Sequence, residues 1–207
     1  MPISRTSIWA AAARAFGARE PDAGVRNPDW LAERLLGPEE RSLLTNHSLI
    51  TALEQPYQEA TKSMEIAGSA RMLIARTRFI DERLEAALHD GIRQLVILGA
   101  GFDTRAYRFA DLLRDAHVIE VDQQETQRLK INRIKEVRRL DSRSRHIRTH
   151  RLYDNEAWRC SKRRRFQARS TNLFHLGGSH HVSTGRLHRG GTSLDRRTRS
   201  SWKFDYL

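Results

Sequence analysis

Apolar residues recur at helical spacing in the first part of the chain. Ile8, Ala11, Ala12, Ala15 and Phe16 predict a helix over 7–18. Pro21, Gly24 and Pro28 punctuate the following loop, where Asn27 or Asp29 is placed to cap a second helix. That helix runs through Trp30, Leu31, Leu35 and Leu36 and stops at Gly37-Pro38. Residues 39–53 carry another helical face of Leu43, Leu44, Ile50 and Leu53; Pro56 interrupts it, and 60–75 resumes with Met64, Ala67, Met72 and Leu73. Residues 79–89 predict an amphipathic helix with Ile80, Leu84, Ala87 and Leu88 on one face, ended by Gly91. The pattern then changes. Leu95-Val96-Ile97-Leu98 is a short unbroken run, as expected of a strand buried on both faces. Gly99-Ala100-Gly101 follows, then a helix-like stretch over 104–113, a second strand over 117–122 and a polar helix over 123–136. Strand, glycine turn, helix, strand, helix is the opening of a parallel α/β sheet. Beyond Val137 the sequence predicts no element, and no internal repeat occurs.

Charge divides the chain at the same place. Residues 1–136 hold 19 Lys+Arg and 20 Asp+Glu, net −1; residues 137–207 hold 18 and 5, net +13. Ile, Leu, Val and Met number 33 in the first part and 10 in the second, too few for the basic tail to offset its ordering entropy. Three regions result: a helical region over 1–90, the start of an α/β domain over 91–136, and a basic, poorly ordered tail over 137–207. A single cysteine, Cys160, excludes a disulfide framework and fits a reducing, cytoplasmic setting. The apolar runs are too short to span a membrane, and the stretch 8–13 is too short for a signal peptide. The absence of acids before Glu20 leaves an organellar presequence as the alternative to a plain amphipathic helix.

The glycine turn carries the chemistry. Glycines allow the tight bend and close approach of a ligand, and an acid about 20 residues later can accept both hydroxyls of a ribose. Asp122 lies 21 positions after Gly101 and Glu120 lies 19 after it, so the pattern suits a nucleoside-bearing cofactor. Thr104 stands where a dinucleotide fingerprint wants Gly or Ala, which disfavours a pyrophosphate. Three spaced motifs, 75–81 (Ala-Arg-Thr-Arg-Phe-Ile-Asp), 91–108 around the glycine turn, and Glu120-Val121-Asp122, resemble S-adenosyl-L-methionine-dependent methyltransferases of the leucine carboxyl methyltransferase-like family, its bacterial and mycobacterial members above all. Residues 25–32 also look like that group's N-terminal helical region.

The resemblance implies a Rossmann-like class I methyltransferase sheet with N-terminal helices, and S-adenosyl-L-methionine as cofactor. It implies that Gly99, Ala100 and Gly101 pass under the methionine part of the cofactor and that Asp122, or Glu120 beside it, holds the ribose. Arg76 matches the arginine that pairs with the cofactor carboxylate; the resemblance leaves Arg78 and Arg105 close by, able to share that task. Asp103 either touches the ligand or caps the following helix. Methyl transfer needs little acid–base machinery, so no catalytic base is assigned. The implied partner is a small-molecule or carboxylate methyl acceptor.

After Glu136 the family pattern breaks. Where a Phe-Ile-Trp-Glu-Gly segment belongs, the chain has Phe174-His175-Leu176-Gly177-Gly178. If these residues are encoded TTT CAT TTG GGA G, reading one base later gives Phe-Ile-Trp-Glu. Residues 137–203 are therefore read as translated out of frame, the sheet as incomplete, and Phe204-Asp205-Tyr206-Leu207 as a family strand in the original frame. The alternative is a nucleic-acid-binding tail, in which Lys162-Arg163-Arg164-Arg165 supplies charge and Trp158, Phe166 and Phe174 stack bases. His175, His180, His181 and His188 lack the partners and spacing of a metal site.

Overall fold

Leu95, Val96 and Ile97 are at most 2% exposed, and their unbroken branched run forms the central strand of a five-stranded sheet. The computed structural model describes residues 4–44, 47–140, 151–154, 173–177 and 182–185. The strands are β1 (Gln94–Leu98), β2 (His117–Asp122), β3 (Arg151–Asp154), β4 (Leu173–Gly177) and β5 (Val182–Gly185), in the order β3-β2-β1-β4-β5. β1 runs parallel to β2, with Leu98 opposite Val121, and parallel to β4, with Leu98 opposite Gly177. β2 and β3 are also parallel. The chain therefore leaves β1 toward one side and returns to its other side, which opens a crevice at the C-terminal end of β1. β4 and β5 pair antiparallel, as they must, because four intervening residues are too few for a crossover.

The three strands beyond residue 150 are a departure from the sequence expectation, which placed no element between 137 and 203. They are short islands such as Leu173-Phe174-His175-Leu176, with too few residues for periodicity to show. Residues 158, 160, 162–166, 180–181, 188 and 204–207, which carry the tail's basic cluster, its cysteine and the expected terminal strand, lie outside the described residues.

The N-terminal helices form the second layer. α1 (Arg5–Gly17) buries Ile8, Ala11, Ala12, Ala13, Ala15 and Phe16 completely. Its small residues let the backbone approach its neighbour: a Cβ at Gly17 would stand 2.9 Å from Ile74. The expected second helix is reduced to a 3-10 turn at Glu33–Leu35, and the third splits into α2 (Pro38–Ser42) and α3 (Ser48–Leu53), followed by a one-turn helix α4 (Tyr57–Ala60). The two expected helices over 60–75 and 79–89 are one, α5 (Met64–His89). The helix runs unbroken through 76–78, where arginine is a good helix former, and Thr77 there donates to the Leu73 carbonyl at 2.6 Å and accepts from Asn27 Nδ2 at 3.3 Å. After β1 the helix α6 covers only Arg105–Arg108, with turns through the rest of 109–115, and α7 (Gln124–Leu140) follows β2. No helix among the described residues is long and apolar enough to cross a membrane.

Candidate functional site

The turn after β1 has Gly99 at φ 62° and Gly101 at φ 47°, conformations that glycine adopts without steric cost. The Ala100 N–H donates to the Val121 carbonyl at 3.1 Å, and the Gly101 N–H donates to the Asp122 carboxylate. The other carboxylate oxygen of Asp122 accepts from the Gln123 N–H at 2.6 Å. A Cβ at Gly101 would stand 2.7 Å from the Cβ of Ser7, so the first turn of α1 lies directly on the glycine turn. The Ser4 N–H reaches Thr126 Oγ1 at 3.4 Å, carrying the start of α1 across to α7. Gly99, Ala100, Gly101 and Asp122 are thus brought together at the C-terminal edge of the sheet, beneath the N-terminal helix.

Asp103 accepts from the Arg105 N–H at 2.9 Å and from Arg105 Nη1 at 2.6 Å, so its carboxylate caps the start of α6. Burial opposes its ionisation, but Arg105, Arg14 and Lys130 outweigh burial and hold the carboxyl well below the usual carboxylate range.

Two of the expected ligand residues are placed otherwise. Glu120 is fully buried and accepts twice from Lys130 Nζ, at 2.9 Å each, so its carboxylate is closed to a ribose. Burial pushes the Glu120 carboxyl up, and Lys130 opposes that shift. Arg105 is enclosed as well: Nε donates to Asp81 at 2.7 Å, Nη1 to Asp103, and Nη2 to the Thr77 carbonyl at 3.4 Å. Its guanidinium holds protein groups of α5 and the start of α6 together. Arg78 donates to the Gly24 carbonyl and, at 3.5 Å, to that of Ala23, fastening the loop before residue 27. Arg76 sits half-buried on α5, one position before Thr77.

A buried ionic network went unread in the sequence. Asp81 also accepts from Arg108 Nη2 at 2.8 Å, while Asp29 accepts from Thr104 Oγ1 and Arg14 Nε, both at 2.7 Å. Burial pushes the Asp81 carboxyl up, and Arg105 and Arg108 work against that. Lys130 had a signal available. Thr126, Lys130, Ile134 and Val137 form one buried stripe of α7, and a lysine inside such a stripe calls for a buried acid. Among the described residues no cluster of His, Cys, Asp and Glu is arranged to hold a metal.

The sequence matches the family described as Leucine carboxyl methyltransferase over residues 7–179. The chain belongs to that family. Relatives of this family member include a protein of Mycolicibacterium smegmatis, 34% identical over 121 residues, and one of Mycobacteroides abscessus, 37% identical over 123. Each alignment covers 58% of this chain and 38% of the relative. A protein of Bacillus subtilis is 29% identical over 143 residues, covering 64% of this chain and 47% of the relative. All three are named, by inference, as S-adenosyl-L-methionine-dependent methyltransferases. The chain spans less than half the length of these relatives. Their names and the family agree with the geometry in one respect: the matched stretch contains the glycine turn and its acid.

Proposed function

We propose that this chain binds S-adenosyl-L-methionine at the glycine turn and serves methyl transfer to an oxygen of a small-molecule or carboxylate acceptor. The observation that carries this reading is Asp122. It stands at the end of β2, beside the glycine turn that follows β1, with each oxygen oriented by one backbone N–H. An ionised carboxylate has about four acceptor positions, so two remain for the paired hydroxyls of a ribose. The residues present therefore fit the cofactor. Gly99 and Gly101 supply no side chain of their own to the turn, and Arg76 is the candidate for the cofactor carboxylate, to which a planar guanidinium forms two parallel hydrogen bonds. When bound, the sulfonium would supply an activated methyl group, because its sulfur departs as a neutral thioether without needing protonation. The chain's own part is to hold and orient the nucleoside and to exclude water beneath α1.

The acceptor side belongs to the second half of the reading. β4, beside β1, is the strand that codons TTT CAT TTG GGA G would encode, and those codons read one base later would give Phe-Ile-Trp-Glu. We take 137–203 as out of frame relative to an intact relative, and expect cofactor binding with weak or absent turnover. Incubation with methyl-labelled S-adenosyl-L-methionine and small carboxylate acceptors, alongside titration with the cofactor and with NADH, tests both parts. Binding of the methionine cofactor but not NADH supports the cofactor reading, and binding of NADH alone overturns it. Rapid transfer of label overturns the expected impairment. Gene codons at 174–178 incompatible with the shifted reading would remove its basis.

A further inference from the structure

Besides the turn's own bond from the Asp103 N–H to the Ala100 carbonyl at 2.7 Å, four contacts hold the segment around the glycine turn. Two come from within the sheet: Ala100 to the Val121 carbonyl, and Gly101 to Asp122. The other two come from the N-terminal helical layer and meet at one residue. Asp29, 1% exposed, accepts from Thr104 Oγ1 at 2.7 Å with one carboxylate oxygen and from Arg14 Nε at 2.7 Å with the other. Arg14 then donates through Nη2 to the Phe102 carbonyl at 2.8 Å. Arg108 adds a longer contact, its Nε lying 3.4 Å from Asp29 and 2.9 Å from Thr104 Oγ1. The orientation of Asp29 is itself set, because its N–H donates to Asn27 Oδ1 at 2.9 Å.

The geometry points to Asp29 as a positioning residue for the cofactor turn. This rests on the cofactor reading above and adds to it a residue remote in sequence. Through Arg14 it clamps the carbonyl of Phe102, and through Thr104 it clamps the start of α6. Residues 102–104 follow the glycines directly, so both clamps limit how far the turn's N–H groups can rotate. Asp29 reaches these groups only through other side chains. A carboxylate is required there because a buried arginine and a hydroxyl must be accepted at once, and an amide has a single oxygen for both.

Three variants of the full chain test this, with S-adenosylhomocysteine as the probe in calorimetry. Asp29→Asn keeps the shape and removes one acceptor oxygen. Thr104→Val keeps the shape and removes the hydroxyl, and Thr104→Ser restores it. Asp29→Asn and Thr104→Val should each weaken binding about tenfold or more, the usual range for losing a charge-assisted hydrogen bond. Thr104→Ser should bind close to the parent. A role in packing alone would reverse the order, with Thr104→Val close to the parent and Thr104→Ser the weaker. Equal affinity in all four proteins overturns the positioning role. A parent that does not bind the probe overturns the cofactor reading instead. The clamp is then judged by amide hydrogen exchange at Phe102 and Asp103: faster exchange in Asp29→Asn supports it, and unchanged exchange overturns it. The same exchange measurement reads the clamp for any variant whose thermal unfolding shows loss of the fold.

Discussion

Gly101 illustrates how much a single residue decides at this site. It combines φ 47° with a neighbour, Ser7, standing where a Cβ would be. Gly91 has φ 91° but open space around the same position. Gly101→Ala should therefore cost more than the ~1–2 kcal/mol of a left-handed residue alone, and Gly91→Ala close to that figure, as read by urea denaturation. Asp103 makes a pH prediction. A carboxyl whose folded-state pKa is depressed contributes stability that is complete above its ordinary value of 3.8 and is lost as pH falls below it. Asp103→Asn should lower stability at neutral pH and flatten its fall on acidification below about pH 4, measured by urea midpoints across that range. The Glu120–Lys130 pair, with both side chains 1% exposed, makes another. Lys130→Met alone should destabilise by about 3–5 kcal/mol, and adding Glu120→Leu should recover most of that. A double variant as weak as the single one would contradict the buried-pair account.

At the scale of elements, β1, its glycine turn and β2 were legible because each shows in a local pattern: a branched run, two glycines, an acid at a strand end. The longest helix was not. The expectation left Arg-Thr-Arg at 76–78 between two apolar stretches, although arginine favours helix; Thr77 is buried there against Asn27, a contact that no local pattern shows. Glu120 and Asp122 share a strand and a face, so spacing alone could not separate them; Lys130, from the next helix, does. The same holds for Arg105, whose fate is decided by Asp81 on α5. Asp81 ties α5 to α6 through two arginines whose side chains are 8% and 6% exposed. Asp81→Ala leaves both without that partner and should cost about 3–5 kcal/mol in denaturant unfolding, with Asp81→Asn intermediate. A loss below about 1 kcal/mol would show the network to be dispensable.

For the whole molecule, the division of charge matters more than its sum. A +12 chain suggests a polyanionic partner throughout, yet the first 136 residues are nearly neutral and contain the cofactor turn, its acid and the clamp from Asp29. The sheet is broader than those residues alone predicted, because three short strands from the basic part extend it on both sides of β1 and β2. Cofactor binding should thus depend on the N-terminal layer and the first two strands, with charge in 137–207 contributing little. Calorimetric titration of the full chain with S-adenosylhomocysteine, beside its Asp122→Ala variant, tests this most directly. The account predicts saturable one-site binding by the parent that Asp122→Ala abolishes or weakens at least about tenfold while the fold is retained. No binding by the parent, or binding that Asp122→Ala leaves unchanged, would contradict it.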